Sequence, residues 1–239
     1  MFGTPINNWT KAEASPVSDA DIAVDRLLRE RLIGDGSDFG WLSEESVDDP
    51  ARLAARYVWI VDPIDGTRAY LAGLPDWSVA AALVEHGRPI AACLYAPVTE
   101  EFFAATAGAG STCNGAAIST TSGAALANAR IAGPKHFLER LAAVAPPFTV
   151  MPRVRSLALR LARVAQGAFD IAIAGADSHD WDLAAADLLV HEAGGSITPS
   201  GGGLIIYNLP VPRHGMLVAA GRERHAALME LLGDERLAS

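Results

Sequence analysis

The sequence predicts an α/β (α+β) protein, a layered sandwich built on mixed sheets. Three observations carry that expectation. The first half reads as an antiparallel meander of apolar runs, and after Asn114-Gly115 strand-like and helix-like segments alternate. In addition, 50% of the 239 residues are hydrophobic, enough to fill a core as one large domain or two small lobes. One domain is expected over residues 1–239, with an N-terminal α+β lobe over about 1–125 and a C-terminal α/β lobe over about 126–239.

Ser18-Asp19-Ala20-Asp21 reads as a capping box, and Ile22, Leu27, Leu28 and Leu32 recur at helical spacing up to Gly34, so the first helix belongs there. Tyr57 to Val61 is a β-branched and aromatic run that Asp62-Pro63 should end, because proline cannot donate to a ladder. Trp77–Glu85 and Ile90–Ala96 flank the turn His86-Gly87-Arg88-Pro89, and Glu101–Ala105 adds a third strand. Beyond Asn114-Gly115 we expect a strand near Ile131, a helix from Lys135, a strand near Phe148, a helix from Ser156 and a strand at Phe169–Ala174. Asp180 precedes a helix from Trp181 to about Ala193, closed by Gly194-Gly195. Gly201-Gly202-Gly203 should join two short strands, and a last helix runs from Arg222 to Leu232.

Charge narrows the partners. A formal net charge of −9 repels nucleic acid polymers and anionic membranes, which are bound largely by neutralising phosphates with Lys and Arg. A small anion remains compatible where a metal ion supplies the positive charge. No apolar run reaches the roughly 20 residues needed to span a bilayer. Met1–Trp9 has neither a basic leader nor an apolar core, so a cytoplasmic location is expected. Cys93 and Cys113 sit in no zinc or CxxC spacing and read as free thiols.

Asp62-Pro63-Ile64-Asp65-Gly66-Thr67 is the most informative stretch. It puts two carboxylates three residues apart across a proline-stiffened turn where a strand hands over to a helix. Both carboxylates and the Ile64 carbonyl can then face one point, an oxygen set that suits hard Mg2+. The Gly66 and Thr67 amides would lie at a helix start, where unpaired N–H groups favour a phosphate. An Asp-capped turn is the alternative reading. Glu44-Glu45 follows the apolar pair of Gly40-Trp41-Leu42-Ser43, and Asp182 falls in a first helical turn; taken singly, each is also explained as an ordinary surface or dipole-stabilised acid.

Together these residues resemble the inositol monophosphatase family of lithium-sensitive, magnesium-dependent phosphatases, over about Lys11 to the C-terminus. Its two signatures stand here as Trp59-Ile60-Val61-Asp62-Pro63-Ile64-Asp65-Gly66-Thr67 and as Trp181-Asp182-Leu183-Ala184-Ala185-Ala186 followed by Glu192-Ala193-Gly194-Gly195. Ser15-Pro16-Val17-Ser18-Asp19-Ala20-Asp21 and Ser43-Glu44-Glu45 also fall where the family has them. The resemblance implies an αβαβα sandwich of the inositol monophosphatase and fructose-1,6-bisphosphatase type, and a phosphoric monoester hydrolase acting on a small phosphorylated metabolite. It implies two or three Mg2+ per site held by Glu44, Asp62, the Ile64 carbonyl, Asp65 and Asp182. Catalysis then falls to Asp21, Thr67 and Glu44, and substrate contacts to Asp65, Gly66, Thr67, Arg160 and Asp182. A homodimer is usual for such proteins.

Two departures bear on the resemblance. Relatives usually carry a further helix before the Lys11 region, where ten residues stand here. Inositol-hydrolysing relatives place a glutamate just upstream of the Trp-Asp motif, where this chain has Gly175-Ala176-Asp177. The missing glutamate and Lys11-Ala12-Glu13-Ala14-Ser15-Pro16-Val17 favour the bacterial 3'(2'),5'-bisphosphate nucleotidase branch, with 3'-phosphoadenosine 5'-phosphate as substrate. Inositol-1-phosphate or histidinol-phosphate hydrolysis is the alternative, and a catalytically idle metal- or phosphate-binding regulator on the same scaffold is the alternative from another class. His179, beside the Trp-Asp motif, is read as a substrate-side or simply satisfied histidine, and Arg153, Arg155 and Arg163 as solvated. Gly108-Ala109-Gly110 breaks the dinucleotide-binding pattern and is a turn.

Overall fold

The computed structural model describes residues 2–3, 6–10, 16–34 and 38–233. The lead-in Lys11–Ser15 lies outside them. Strands β1 (Asn8–Thr10) and β2 (Pro16–Ser18) pair antiparallel and feed α1 (Asp19–Ile33), whose cap is Ser18 as expected.

A seven-stranded sheet follows in chain order: β3 (Gly40–Ser43), β4 (Tyr57–Asp65), β5 (Ser78–Glu85), β6 (Arg88–Ala96), β7 (Glu101–Thr106), β8 (Ser111–Cys113) and β9 (Ala116–Ala117). Only β3 and β4 are parallel; the rest is the predicted meander. The β5–β6 turn is shorter than the sequence reading has it. His86 and Gly87 alone form it, both at positive φ, 48° and 76°, as a tight hairpin with the right-handed twist of its strands requires.

Strand β4 corrects a second expectation. Pro63 does not end it. The β3 ladder stops at Ser43↔Val61, and the β5 register shifts between Asp62 and Asp65, so Pro63 sits in an irregularity where no ladder donor is demanded. A one-turn helix, α2 (Thr67–Leu71), then begins at Gly66, whose φ of 91° reverses the chain.

The second sheet has the order β11-β10-β12-β16-β14, where β10 is Arg130–Ala132, β11 Thr149–Val150, β12 Ile171–Ala174, β14 Gly195–Pro199 and β16 Leu217–Gly221. Helices α3 (Lys135–Ala142), α4 (Leu157–Ala165), α5 (Asp180–Glu192) and α6 (Arg222–Gly233) alternate with its strands. The glycine triplet 201–203 follows β14 but does not lead into its partner strand. The chain from Leu204 to Pro212 is irregular, and the next strand, β15 (Arg213–His214), pairs with β13 (Ser178–His179).

Alternation along β4 sorts the layers. Val61 joins Trp41 and Ala81 against Leu28, Leu32 and Ile33 of α1, whereas Val58 and Ile60 face inward. The inward face packs on α4 and α5, which in turn cover one face of the second sheet. The other face of that sheet buries Phe137, Leu138 and Leu141 of α3 and Leu228 of α6. The order is therefore α1, sheet, α4 and α5, sheet, α3 and α6, the expected five layers. Helix α5 is buried almost all round, Leu183 through Ala186 and Leu188 through Val190 together with the acids Asp180 and Asp187, because sheets flank it on both sides.

Candidate active site

The irregularity in β4 turns Asp62 and Asp65 toward the start of α5, where Asp182 lies. Carboxylate oxygens of these three residues come within 4.8 Å of one another. They open onto a pocket of about 740 Å³ whose lining also includes Glu44, Thr67, Arg68, Arg153 and Arg155. The motifs read from the sequence thus converge in space, and Glu44 is delivered to the same pocket from the end of β3.

Each carboxylate is held differently. Asp65 accepts hydrogen bonds from Ser156 Oγ and the Ala158 amide, both at 2.6 Å, which fixes the start of α4 to the end of β4. Asp182 accepts from the His179 amide at 2.7 Å as the acidic member of a capping box. Asp62 is buried, and among the described residues its Oδ1 has no hydrogen-bond partner.

Burial and mutual repulsion disfavour the charged forms. Burial first, then the charges of Glu44, Asp65 and Asp182, hold the Asp62 carboxyl well above the usual range. Burial followed by the charge of Asp65 does the same to Asp182. Asp65 is raised by burial to about 6, its hydrogen bonds from Ser156 and Ala158 pulling it back. An orphaned buried carboxylate oxygen amid clustered acids is unstable on its own terms. The arrangement fits a divalent cation, and an oxygen-only donor set fits a hard one such as Mg2+.

Thr67 Oγ1 lies 3.1 Å from the Ile64 carbonyl and 3.3 Å from Asp21 Oδ1. Asp21 touches the lining residue Thr67 through this hydroxyl, and the Ile64 carbonyl lies beside the same group. Asp21 is buried, which raises its carboxyl, although the Ser18 hydroxyl and amide, at 2.6 and 2.8 Å, oppose the shift. Gly66 and Thr67 border the pocket as expected; because α2 is a single turn, its amides rather than a long helix dipole would meet an anion there.

Arg160 lines a cavity beside the carboxylate pocket, and among the described residues its buried Nε has no hydrogen-bond partner. Of the neighbouring arginines expected to be solvated, Arg153 and Arg155 are exposed and Arg163 is half-buried. Arg163 is locked to Glu101 through two 2.5 Å contacts, Arg155 pairs with Asp76 at 3.1 Å, and Arg153 borders both cavities. Sequence reasoning missed Arg68, Ser156 and Asp177 altogether. Asp177, at the rim and paired with Arg213 at 3.4 Å, places a carboxylate two residues past the position where the glutamate was missed. His179 stacks on Trp181 with ring centroids 4.6 Å apart.

The model of the inositol monophosphatase family matches residues 2–236. An inositol-1-monophosphatase of Rhizobium meliloti is 35% identical over 202 residues, which covers 81% of this chain and 75% of that protein. A histidinol-phosphatase of Mycobacterium tuberculosis is 34% identical over 218 residues, 83% of this chain and 82% of that one. Among solved structures, a Thermotoga maritima IMPase superposes with a TM-score of 0.83 at 25% identity, covering 99% of this chain and 91% of the other.

Proposed function

The chain belongs to the inositol monophosphatase family and is a phosphoric monoester hydrolase, and from that premise we propose how its acidic pocket works and on what. The reaction is Mg2+-dependent hydrolysis of a small phosphate monoester. The observation that carries it is the meeting of Asp62, Asp65 and Asp182 within 4.8 Å beside the Thr67–Asp21 contact.

In this proposal Glu44, Asp62, the Ile64 carbonyl, Asp65 and Asp182 hold two or three Mg2+. When bound, the metal lowers the pKa of the attacking water and offsets charge on the phosphoryl and leaving oxygens. Thr67 Oγ1 orients that water, and Asp21 behind it accepts its proton, a role that a buried carboxylate with a raised pKa suits. Glu44, which lines the same pocket, assists. The Gly66 and Thr67 amides and the Arg68 and Arg153 guanidinium groups face the substrate phosphate.

The substrate is a 3'(2'),5'-bisphosphate nucleotide, best represented by 3'-phosphoadenosine 5'-phosphate. Gly175 supports this reading because it offers no carboxylate for polyol hydroxyls, and Arg160 because a guanidinium whose buried Nε has no partner among the described residues suits a second phosphate. A second reading, inositol 1-phosphate, is favoured by the rim carboxylate of Asp177 and by the Rhizobium relative. Phosphate release from both compounds and from histidinol phosphate, with and without Mg2+, separates them. A lost hydrogen bond to a charged partner is worth about 1.5–3 kcal/mol, so about ten- to a hundredfold in kcat/KM is expected in favour of the nucleotide. That preference should fall in Arg160→Ala. A higher value for inositol 1-phosphate in the wild type overturns the choice. The protein works as a homodimer in this proposal, which sedimentation tests.

A further inference from the structure

Two buried acids stand one turn apart on α1, and only one of them takes part in the chemistry proposed so far. Asp21 meets Thr67, whereas Asp25, four residues on and 7% exposed, faces the end of β3. Its Oδ1 accepts a 2.5 Å hydrogen bond from Ser43 Oγ, and its Oδ2 accepts one of 2.7 Å from Ser46 Oγ. Ser43 ends β3 and Ser46 closes the bend that follows it, so a single carboxylate ties together both sides of Glu44-Glu45.

Each hydroxyl is held a second time. Ser43 Oγ accepts the Glu45 amide at 3.3 Å, and Ser46 Oγ accepts the Trp41 indole N–H at 3.2 Å. The Glu44 amide donates to the Val61 carbonyl at 3.4 Å, one residue before Asp62 in β4. Glu44 is thus pinned to α1 through the bend and to β4 through its own backbone, while its side chain lines the carboxylate pocket and its charge is felt by Asp62, Asp65 and Asp182. Packing alone does not ask for an acid at position 25. Burying a carboxylate is costly, among the described residues no Lys or Arg pairs with it, and replacing buried ionic groups by apolar ones is often neutral or stabilising. What the carboxylate adds is direction, because two charge-assisted hydrogen bonds to two separate points fix the bend in one geometry.

We propose that Asp25 is the positioning residue for Glu44: by clamping Ser43 and Ser46 it holds the Glu44 carboxylate at the pocket and thereby sets the pocket's affinity for a divalent cation. The proposal rests on the reading of Glu44 as a metal ligand and adds the residue that keeps it in place. Helix α1 then supports the site twice, through Asp21 at Thr67 and through Asp25 at the Glu44 bend.

Mg2+ binding to the substrate-free protein, followed by titration calorimetry, tests the link in a double-mutant cycle. Glu44→Gln and Asp25→Ala should each weaken Mg2+ binding by about tenfold or more, the usual scale for residues that hold a metal ligand in place. The double variant should be no weaker than Glu44→Gln alone, since Asp25 acts through Glu44. Circular dichroism checks each fold, and Leu228→Ala, a cavity in the core under α6, shows what general destabilisation does to Mg2+ affinity, which should be less than about a twofold change. Ser46→Ala opens the half-buried end of the clamp and serves where Asp25→Ala does not fold; it should weaken Mg2+ binding, and Ser46→Thr, which keeps the hydroxyl, should restore it. Additive losses in the cycle, or wild-type affinity in Asp25→Ala or Ser46→Ala beside a weakened Glu44→Gln, overturn the proposal and leave Glu44 a ligand. Wild-type affinity in Glu44→Gln overturns the ligand reading itself and this proposal with it.

Discussion

Ser156 Oγ donates a 2.6 Å hydrogen bond to Asp65 Oδ2 across 91 residues of sequence. The same hydroxyl accepts the Leu159 amide as the cap of α4 and lies 2.9 Å from Ser78 Oγ, so one side chain ties the end of β4, the start of β5 and the start of α4 to a candidate metal ligand. Ser156→Ala removes the cap, worth about 0.5–2 kcal/mol, and melting should drop by about 1–8 °C for a chain of this size. It also frees Asp65 to turn, so the Mg2+ concentration for half-maximal activity should rise. A lowered melting temperature with an unchanged Mg2+ requirement would show that the tie supports the fold alone.

Asp62 is the carboxylate with the least support, and its replacement separates stability from chemistry. Its carboxyl is raised above the ordinary 3.8, first by burial, so its contribution to the stability of the metal-free protein is complete below about pH 4 and is lost as pH rises through the folded value. Asp62→Asn removes that charge. In chelator the variant should melt above the wild type, by a margin that grows from pH 4 to pH 7. Added Mg2+ should raise the wild-type melting temperature and leave the variant's nearly unmoved. Turnover should fall on the order of 10²–10³-fold or more, the scale seen when a group stabilising transition-state charge is removed.

Much of this site is legible in the sequence because its chemistry is packed into short signatures. Asp62, Asp65 and Thr67 share six residues, and Asp182 stands beside a tryptophan at a helix start. The parts that could not be read depend on long-range packing. Nothing near Ser156 in sequence announces Asp65, and Arg163 looks like a solvated helix cation until Glu101 of β7 is placed beside it. Arg160 follows the same logic: its place on α4 is set by sequence, but only the position of α3 and β11 decides which of two cavities it lines. Proline in β4 misleads for a local reason, since the cost of a missing donor disappears where the neighbouring ladder has already ended.

Thr67 is the residue whose loss should strike turnover more than metal affinity. Its hydroxyl sits 3.3 Å from Asp21 and is where that buried acid touches the pocket lining. Thr67→Ala should lower kcat about 10²-fold or more, the usual scale of acid–base assistance, with the Mg2+ titration midpoint shifted less than twofold. Thr67→Ser, which keeps the hydroxyl, should recover most of the rate. Equal losses in both variants would assign Thr67 to packing.

The Asp187–His191 pair offers a pH test away from the reaction. His191 Nδ1 lies 2.8 Å from Asp187 Oδ1 on the last turns of α5, while Arg88 of β6 stands 3.6 Å from the other carboxylate oxygen of Asp187. The hydrogen bond to Asp187 raises the His191 pKa above its ordinary 6.5, and partial burial acts against it. A raised histidine binds its proton more tightly in the folded state, so its contribution to stability is complete below about pH 6.5 and is lost as pH climbs through the folded value. His225, which burial first and the His191 charge second hold below its ordinary 6.5, faces the same histidine. His191→Gln should therefore melt below the wild type at pH 6, and the gap should close by pH 9, with kcat within about twofold at either pH because His191 stands about two and a half turns beyond Asp182. A gap that stays constant from pH 6 to pH 9 would mean that the imidazole acts through its shape and not through its charge.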